Sequence, residues 1–100
     1  MTEIKREGDN QKGEFVIYEN DKRAGRMTYE KEQENQIIVE HTNVEEEFGG
    51  RGLAGKLMDK MVEYARENNL KINPSCSYVQ HKFKKDEAIR DVLAEGSLEI

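Results

Sequence analysis

The chain has 100 residues, enough for one domain over residues 1–100 built on a single modest core. Charged residues make up 37% against 35% hydrophobic, and the net charge of -5 argues against nucleic acid as the main partner. No apolar run reaches the length of a membrane span, no signal-peptide core follows Met1, and the lone Cys76 excludes an internal disulfide and fits a reducing cytoplasm.

Ile4 to Glu7 reads as a short strand closed by the turn residues Gly8-Asp9-Asn10. Glu14 to Glu19 contains Phe15-Val16-Ile17-Tyr18, an apolar run that suits a strand covered on both faces. Asn20-Asp21 supplies turn chemistry, and Ala24 to Lys31 then alternates, with Met27 and Tyr29 on one side and Arg26, Thr28 and Glu30 on the other. After the polar turn Glu32 to Asn35, the strand Gln36 to Asn43 places Ile37, Val39 and His41 on one face and Ile38, Glu40 and Thr42 on the other. Such short connections predict an antiparallel meander of four strands.

Between Val44 and Leu57 a strand runs out, glycines crowd together and a helix begins. Glycines let the backbone turn tightly, and the unpaired N–H groups of a first helical turn point at whatever lies there, so the stretch predicts an anion site. Gly50, Gly52 and Gly55 also satisfy G-x-G-x-x-G, but too few residues remain behind them for a doubly wound dinucleotide fold. The helix places Leu53, Ala54, Leu57, Met58, Met61, Val62 and Ala65 in one stripe, with Asn68-Asn69 at its end and a left-handed cap expected at one of them. Leu70 to Pro74 is a fifth strand, parallel to the fourth because a helical crossover precedes it. Ser77 and Gln80 form a capping box for a helix carrying Tyr78, Val79 and Phe83, and Asp86 caps a last short turn bearing Ile89, Val92 and Leu93.

Val44-x-x-x-Phe48-Gly49-Gly50-Arg51-Gly52-Leu53-Ala54 resembles the acetyl-CoA loop of the GCN5-related N-acetyltransferases (GNAT), whose pattern reads roughly Val-x-Pro-x-aromatic-Arg/Gln-Gly-x-Gly-Ile/Leu-Gly/Ala. Glu46 stands where proline is usual and Gly49 where Arg or Gln is usual, while Arg51 carries a guanidinium nearby. The pairs His41-Thr42 and Pro74-Ser75-Cys76 resemble the small single-domain branch of that family. The resemblance implies a GNAT-like α/β fold, with a mixed sheet of a four-strand antiparallel meander, one parallel βαβ crossover and short C-terminal helices. It also implies that the amides from Gly49 to Gly55, including those of Gly50, Arg51, Gly52, Leu53 and Ala54, hold the pyrophosphate of acetyl-CoA next to Val44. The two helices that line the acceptor site in larger members have no room between the first two strands, and the usual last two strands are missing.

Transfer of an acetyl group to an amine needs a proton acceptor and gains from a proton donor at the departing thiolate. His41 is the base expected at the strand end, and a histidine packed beside Ile37 and Val39 is the bland reading of the same residue. Cys76, near a helix N-terminus, is expected to be acylated or to donate a proton, or else to be a buried structural thiol. Tyr78 is expected as a proton donor, following the tyrosines found after the fifth strand in relatives, or as the edge of the core. His41, Cys76 and His81 lack metal-ligand spacing, so no metal is expected. Glu45-Glu46-Glu47, if solvated, would attract a cationic acceptor such as a lysine or polyamine. The expected function is acetyl-CoA-dependent transfer to an amine. A CoA-binding or protein-interaction module without efficient catalysis is the second reading, and nucleotide binding at the same glycines the third.

Overall fold

The structure is a computed structural model that describes residues 1–9 and 11–97. Five strands, β1 (Thr2–Gly8), β2 (Lys12–Glu19), β3 (Lys22–Gln33), β4 (Gln36–Val44) and β5 (Lys71–Pro74), form one sheet in sequence order. The first four pair antiparallel and β5 pairs parallel to β4, as the meander and crossover required. Helix α1 (Leu53–Glu67) makes the crossover, and α2 (Ser77–Lys85) follows β5. Two 3-10 helices, Glu46–Phe48 and Glu87–Val92, complete the regular elements among the described residues.

Local chemistry sets the turns. Asn20 and Asp21 have φ of 50° and 68°, the left-handed pair that a two-residue hairpin needs to match the strand twist. At the β1–β2 connection Asp9 accepts hydrogen bonds from the N–H groups of Gln11 and Lys12, at 2.8 and 2.9 Å. Those bonds, Lys12 first, hold its carboxyl below the usual value. Asn10, expected in the same turn, lies outside the described residues. Asn69 takes the left-handed cap at φ 54°, and the N–H of Leu70 closes the helix on the carbonyl of Ala65 at 2.8 Å.

The core lies between α1 and one face of the sheet. Leu53, Leu57, Met58, Met61, Val62 and Ala65 meet Phe15, Ile17, Met27, Tyr29, Ile37 and Val39, joined by Val79 and Phe83 of α2. Each large buried side chain contributes about 1.5–3 kcal/mol relative to exposure, as an upper estimate. Ala54, expected in the stripe, is only half-buried. Val16 is fully buried but lies outside this cluster, opposite Lys5 and Arg26 in the neighbouring strands. The apolar run of β2 is therefore covered by α1 on one side and by its sheet neighbours on the other.

Two features of β4 define the site. Thr28 pairs with His41 and Tyr29 with Val39, so Glu40 is an extra residue, a β-bulge. The bulge resets the alternation: Thr42 pairs with buried Met27 on the α1 face, while His41 turns to the opposite face beside Thr28. This corrects the expectation that His41 shares a face with Ile37 and Val39. Secondly, the β4–β5 ladder stops at Val39 and Pro74, and the carbonyl of Val39 accepts from both Ser75 N–H (3.0 Å) and Cys76 N–H (3.2 Å). Beyond that point β4 runs on to Val44 without β5 beside it, and a gap opens along that edge.

The capping box is also corrected. Cys76, not Ser77, is the N-cap of α2, and Gln80 Nε2 donates to the carbonyl of Pro74 at 3.0 Å instead of closing back on the cap. Asp86 does cap the last turn, accepting from Ala88 N–H at 3.0 Å. Leu93 then forms a single parallel bridge to Ile72 on the free side of β5.

Candidate active site

The loop after β4 is built by hydrogen bonds and two glycines. Glu45 N–H reaches the carbonyl of Ala24 (2.7 Å), the 3-10 turn buries Phe48, and Gly49 N–H closes that turn on the carbonyl of Glu46 at 3.1 Å. The Gly49 amide is thereby spent, which removes one donor from the stretch expected to begin there. Gly50 and Gly52 have φ of 78° and 73°, a conformation that L side chains rarely adopt. The first helical bond of α1 runs from Lys56 N–H to the carbonyl of Gly52 at 3.2 Å. Among the described residues, the amides from Gly50 to Gly55 therefore have no backbone partner, and the positive end of the α1 dipole lies behind them. The stretch is chemically suited to the pyrophosphate of a nucleotide-based cosubstrate.

The side chains around these amides divide by role. Leu53 is buried in the core and offers only its amide, Ala54 and Val44 are half-buried, and Arg51 is exposed with its guanidinium 5.4 Å from the Phe48 ring centroid. Glu45, Glu46 and Glu47 are all exposed. A Cβ built on Gly55 would lie 3.9 Å from the Tyr78 hydroxyl, so that phenol is next to the first turn of α1.

At the β4–β5 gap the Cys76 thiol donates to Thr42 Oγ1 at 3.4 Å. Burial pushes the thiol up, but the Thr42 hydroxyl and the backbone N–H groups of Val79, Tyr78 and Thr42 outweigh it and hold Cys76 below its ordinary value. The first-turn amides do not meet full hydrogen-bond geometry with the sulfur, so they act mainly as dipoles. Tyr78 is raised, first by burial and then by the charges of Asp59 and Cys76, which keeps its proton in place at neutral pH. Cys76, Thr42 and Tyr78 therefore collect on one side of β4. His41 is exposed on the other side, and His81 is exposed on α2. Among the described residues, no three His, Cys, Asp or Glu side chains are grouped to hold a metal ion. Thr42 was missed in the sequence because simple alternation put it on the wrong face.

A five-strand mixed sheet whose parallel edge splits beside a glycine-rich helix start is the architecture of an acyltransferase that takes a CoA thioester. The family model of the GCN5-related N-acetyl-transferases matches residues 14–92. A GCN5-like protein of Staphylococcus aureus is similar at 40% identity, with a TM-score of 0.72 over 92% of this chain and 87% of that one. At fold level a GNAT family acetyltransferase of Elizabethkingia anophelis with acetyl-CoA bound has a TM-score of 0.68 at 12% identity, over 84% of this chain and 72% of that one. The ribosomal-protein-alanine N-acetyltransferase of Brucella melitensis has a TM-score of 0.64 at 17% identity, over 92% and 68%. No curated protein matches the sequence. The chain belongs to the GCN5-related N-acetyltransferase family, enzymes that take acetyl-CoA as cosubstrate.

Proposed function

We infer that this chain transfers the acetyl group of acetyl-CoA to an amine, as one minimal domain. The observation that carries the reading is the run of unpaired amides from Gly50 to Gly55 opening onto the β4–β5 gap. These amides hold the pyrophosphate, helped by the Arg51 guanidinium. The pantetheine arm follows the gap toward Cys76 and Tyr78. Tyr78, with its raised value, donates the proton that the leaving sulfur takes up. His41, on the far side of the bulge, accepts the proton that the amine gives up. Cys76 and Thr42 line the end of the gap where the thioester arrives, and the thiol there is the second group able to exchange a proton or accept the acetyl group. The single cysteine and the cosubstrate both favour a reducing cytoplasm.

A second reading, a CoA-binding module without turnover, is favoured by Gly49, which lacks the usual Arg or Gln side chain and has its amide spent in the 3-10 turn. The experiment is release of free CoA from acetyl-CoA across a panel of amines, with binding followed in parallel by amide NMR. Turnover that falls in His41→Ala and Tyr78→Phe supports the transferase. Saturable shifts from Gly50 to Gly55 with no turnover on any amine leave the module.

A further inference from the structure

The two edges of the sheet differ. On the free side of β5, Leu93 bridges to Ile72 and Ala94 N–H donates to the carbonyl of Ile72 at 2.8 Å, so that edge is covered. Among the described residues nothing pairs with the outer side of β1, a strand of seven residues that runs along β2 without a bulge. The ladder between them is closed by Asn20 N–H on the carbonyl of Met1 at 2.9 Å and by Asp9 N–H on the carbonyl of Lys12 at 2.8 Å. Bonded pairs alternate along an antiparallel ladder, so Glu3, Lys5 and Glu7 spend their backbone groups on β2. Thr2, Ile4 and Arg6 therefore direct theirs outward, where another strand can take them up.

The side chains select that strand. Ile4 is a half-buried hydrophobe at the rim of the core, beside a hollow of about 440 Å³ between β1 and α1 lined by Thr2, Ile4, Lys56, Asp59, Lys60 and Glu63. Glu3 and Lys5 lie on the other face, both exposed, and their ion pair within the strand is long at 3.9 Å. When a second β1 runs antiparallel with Ile4 opposite Ile4, the outward groups of Thr2, Ile4 and Arg6 meet those of Arg6, Ile4 and Thr2 in the copy. That register makes about six backbone hydrogen bonds. It also sets Glu3 against Lys5 of the copy, twice by symmetry. Sliding the copy two residues one way opposes Lys5 to Lys5 and Glu3 to Glu7, and two residues the other way opposes Glu3 to Glu3, so like charges meet in both. A slip of one residue leaves outward groups facing spent ones.

We propose that β1 is a self-association edge, through which two copies of this chain join their sheets by antiparallel β1 strands, with Ile4 on the two-fold axis and a Glu3 to Lys5 contact on either side of it. The axis stands perpendicular to the sheet, so both α1 helices stay on one face and the two Ile4 side chains pack on each other beside the hollows. Charge on this edge admits one register and rejects its neighbours. The β4–β5 gap lies at the opposite edge of each sheet, which leaves the cosubstrate amides of both copies open and makes the association independent of the transferase reading.

The test is sedimentation velocity over a concentration series, with amide hydrogen exchange read by NMR at both ends of it. The expected result is a reversible dimer at high concentration, with added protection at Ile4 and Arg6 and none added at Glu3 and Lys5, whose N–H groups are already bonded to β2. Glu3→Lys and Lys5→Glu each weaken association at least about tenfold, since each sets like charges across the strands. The two single variants mixed together, or both changes in one chain, restore it, because opposite charges then face each other at every contact. Lys84→Glu, on the exposed side of α2, changes the net charge by as much as Lys5→Glu and leaves association unchanged. A monomer at every concentration overturns the proposal and leaves the edge to a strand of a different protein. Single variants without effect, no recovery in the mixture or the double variant, or an equal effect of Lys84→Glu overturns it as well.

Discussion

Cys76 Sγ donates to Thr42 Oγ1 at 3.4 Å, across a β4–β5 edge that has stopped pairing three residues earlier on β4, and this contact ties the start of α2 to the bulged half of β4. Burial opposes ionisation of the thiol, but once the proton leaves, the Thr42 hydroxyl turns to donate to the thiolate and holds Cys76 below its ordinary value. Replacing Thr42 with valine keeps the shape and removes the partner. The rate of iodoacetamide alkylation against pH should then have its midpoint at higher pH than in the wild type, and an unchanged midpoint removes Thr42 from the account. The stability linkage has a definite sign. A depressed thiol favours the folded state above the ordinary value of 9.0, and that contribution fades as pH falls through the lowered value. Thr42→Val should therefore lose more stability at pH 10 than at pH 6, read by urea denaturation.

Tyr78 lies beside the first turn of α1 and keeps its proton because burial, Asp59 and Cys76 all oppose ionisation. In the proposed role of proton donor to the departing sulfur, it should matter to kcat and little to acetyl-CoA binding. Tyr78→Phe should lower kcat by about 100-fold, the low end of what general acid catalysis supplies, with the Kd for acetyl-CoA nearly unchanged. Asp59→Asn should shift the alkaline limb of the kcat profile to lower pH. Full activity in Tyr78→Phe would transfer the donor role to Cys76.

Gly50, Gly52 and Gly55 should respond with different signs. Gly50 and Gly52 have open space where a Cβ would go, so alanine there costs only the left-handed backbone, about 1–2 kcal/mol. Gly55 is helical, and its Cβ would meet the Tyr78 hydroxyl at an ordinary 3.9 Å, so Gly55→Ala should gain up to about 1 kcal/mol of helix stability. That added methyl also crowds the amide run. Urea melts by circular dichroism should rank Gly55→Ala above wild type and Gly52→Ala below it, while acetyl-CoA affinity falls in both. A loss of stability at Gly55 equal to that at Gly52 would contradict the assigned backbone.

The elements were legible because their signals are local. Asn20-Asp21 and Asn69 carry the left-handed positions that end a hairpin and a helix, and the stripe from Leu53 to Ala65 follows one helical face. What the sequence did not reveal depends on pairing between strands or competition between neighbours. The bulge at Glu40 exists only in the β3–β4 register, and it exchanges the faces of His41 and Thr42. Ser77 has the chemistry of an N-cap, but two bonds to the carbonyl of Val39 fix Ser75 and Cys76 so that Cys76 takes that position. The 3-10 turn that consumes the Gly49 amide likewise has no periodic signature in Glu45-Glu46-Glu47.

Behind the site, Arg66 on α1 grips Asp91 on the last 3-10 helix, with Nε to Oδ2 at 2.9 Å and Nη2 to Oδ1 at 2.8 Å, and Nη2 also donates to the carbonyl of Ala88 at 2.8 Å. The guanidinium hydrogen bond is the main reason that Asp91 is held below 3.8, and the same bond raises Arg66. Because both side chains are about half exposed, salt screens the pair and its stabilising effect is modest. A depressed carboxylate contributes above its unfolded value and loses that contribution as pH falls through the folded one. Stability should therefore decline on acidification below pH 3.8, and Arg66→Met should bring the Asp91 carboxyl back toward that value in an NMR pH titration. The shift should shrink at 1 M salt. An Asp91 carboxyl that titrates alike in the wild type and in Arg66→Met would mean that the buried side chain of Val92 and the Leu93 bridge, rather than the ion pair, fix this segment against α1 and β5.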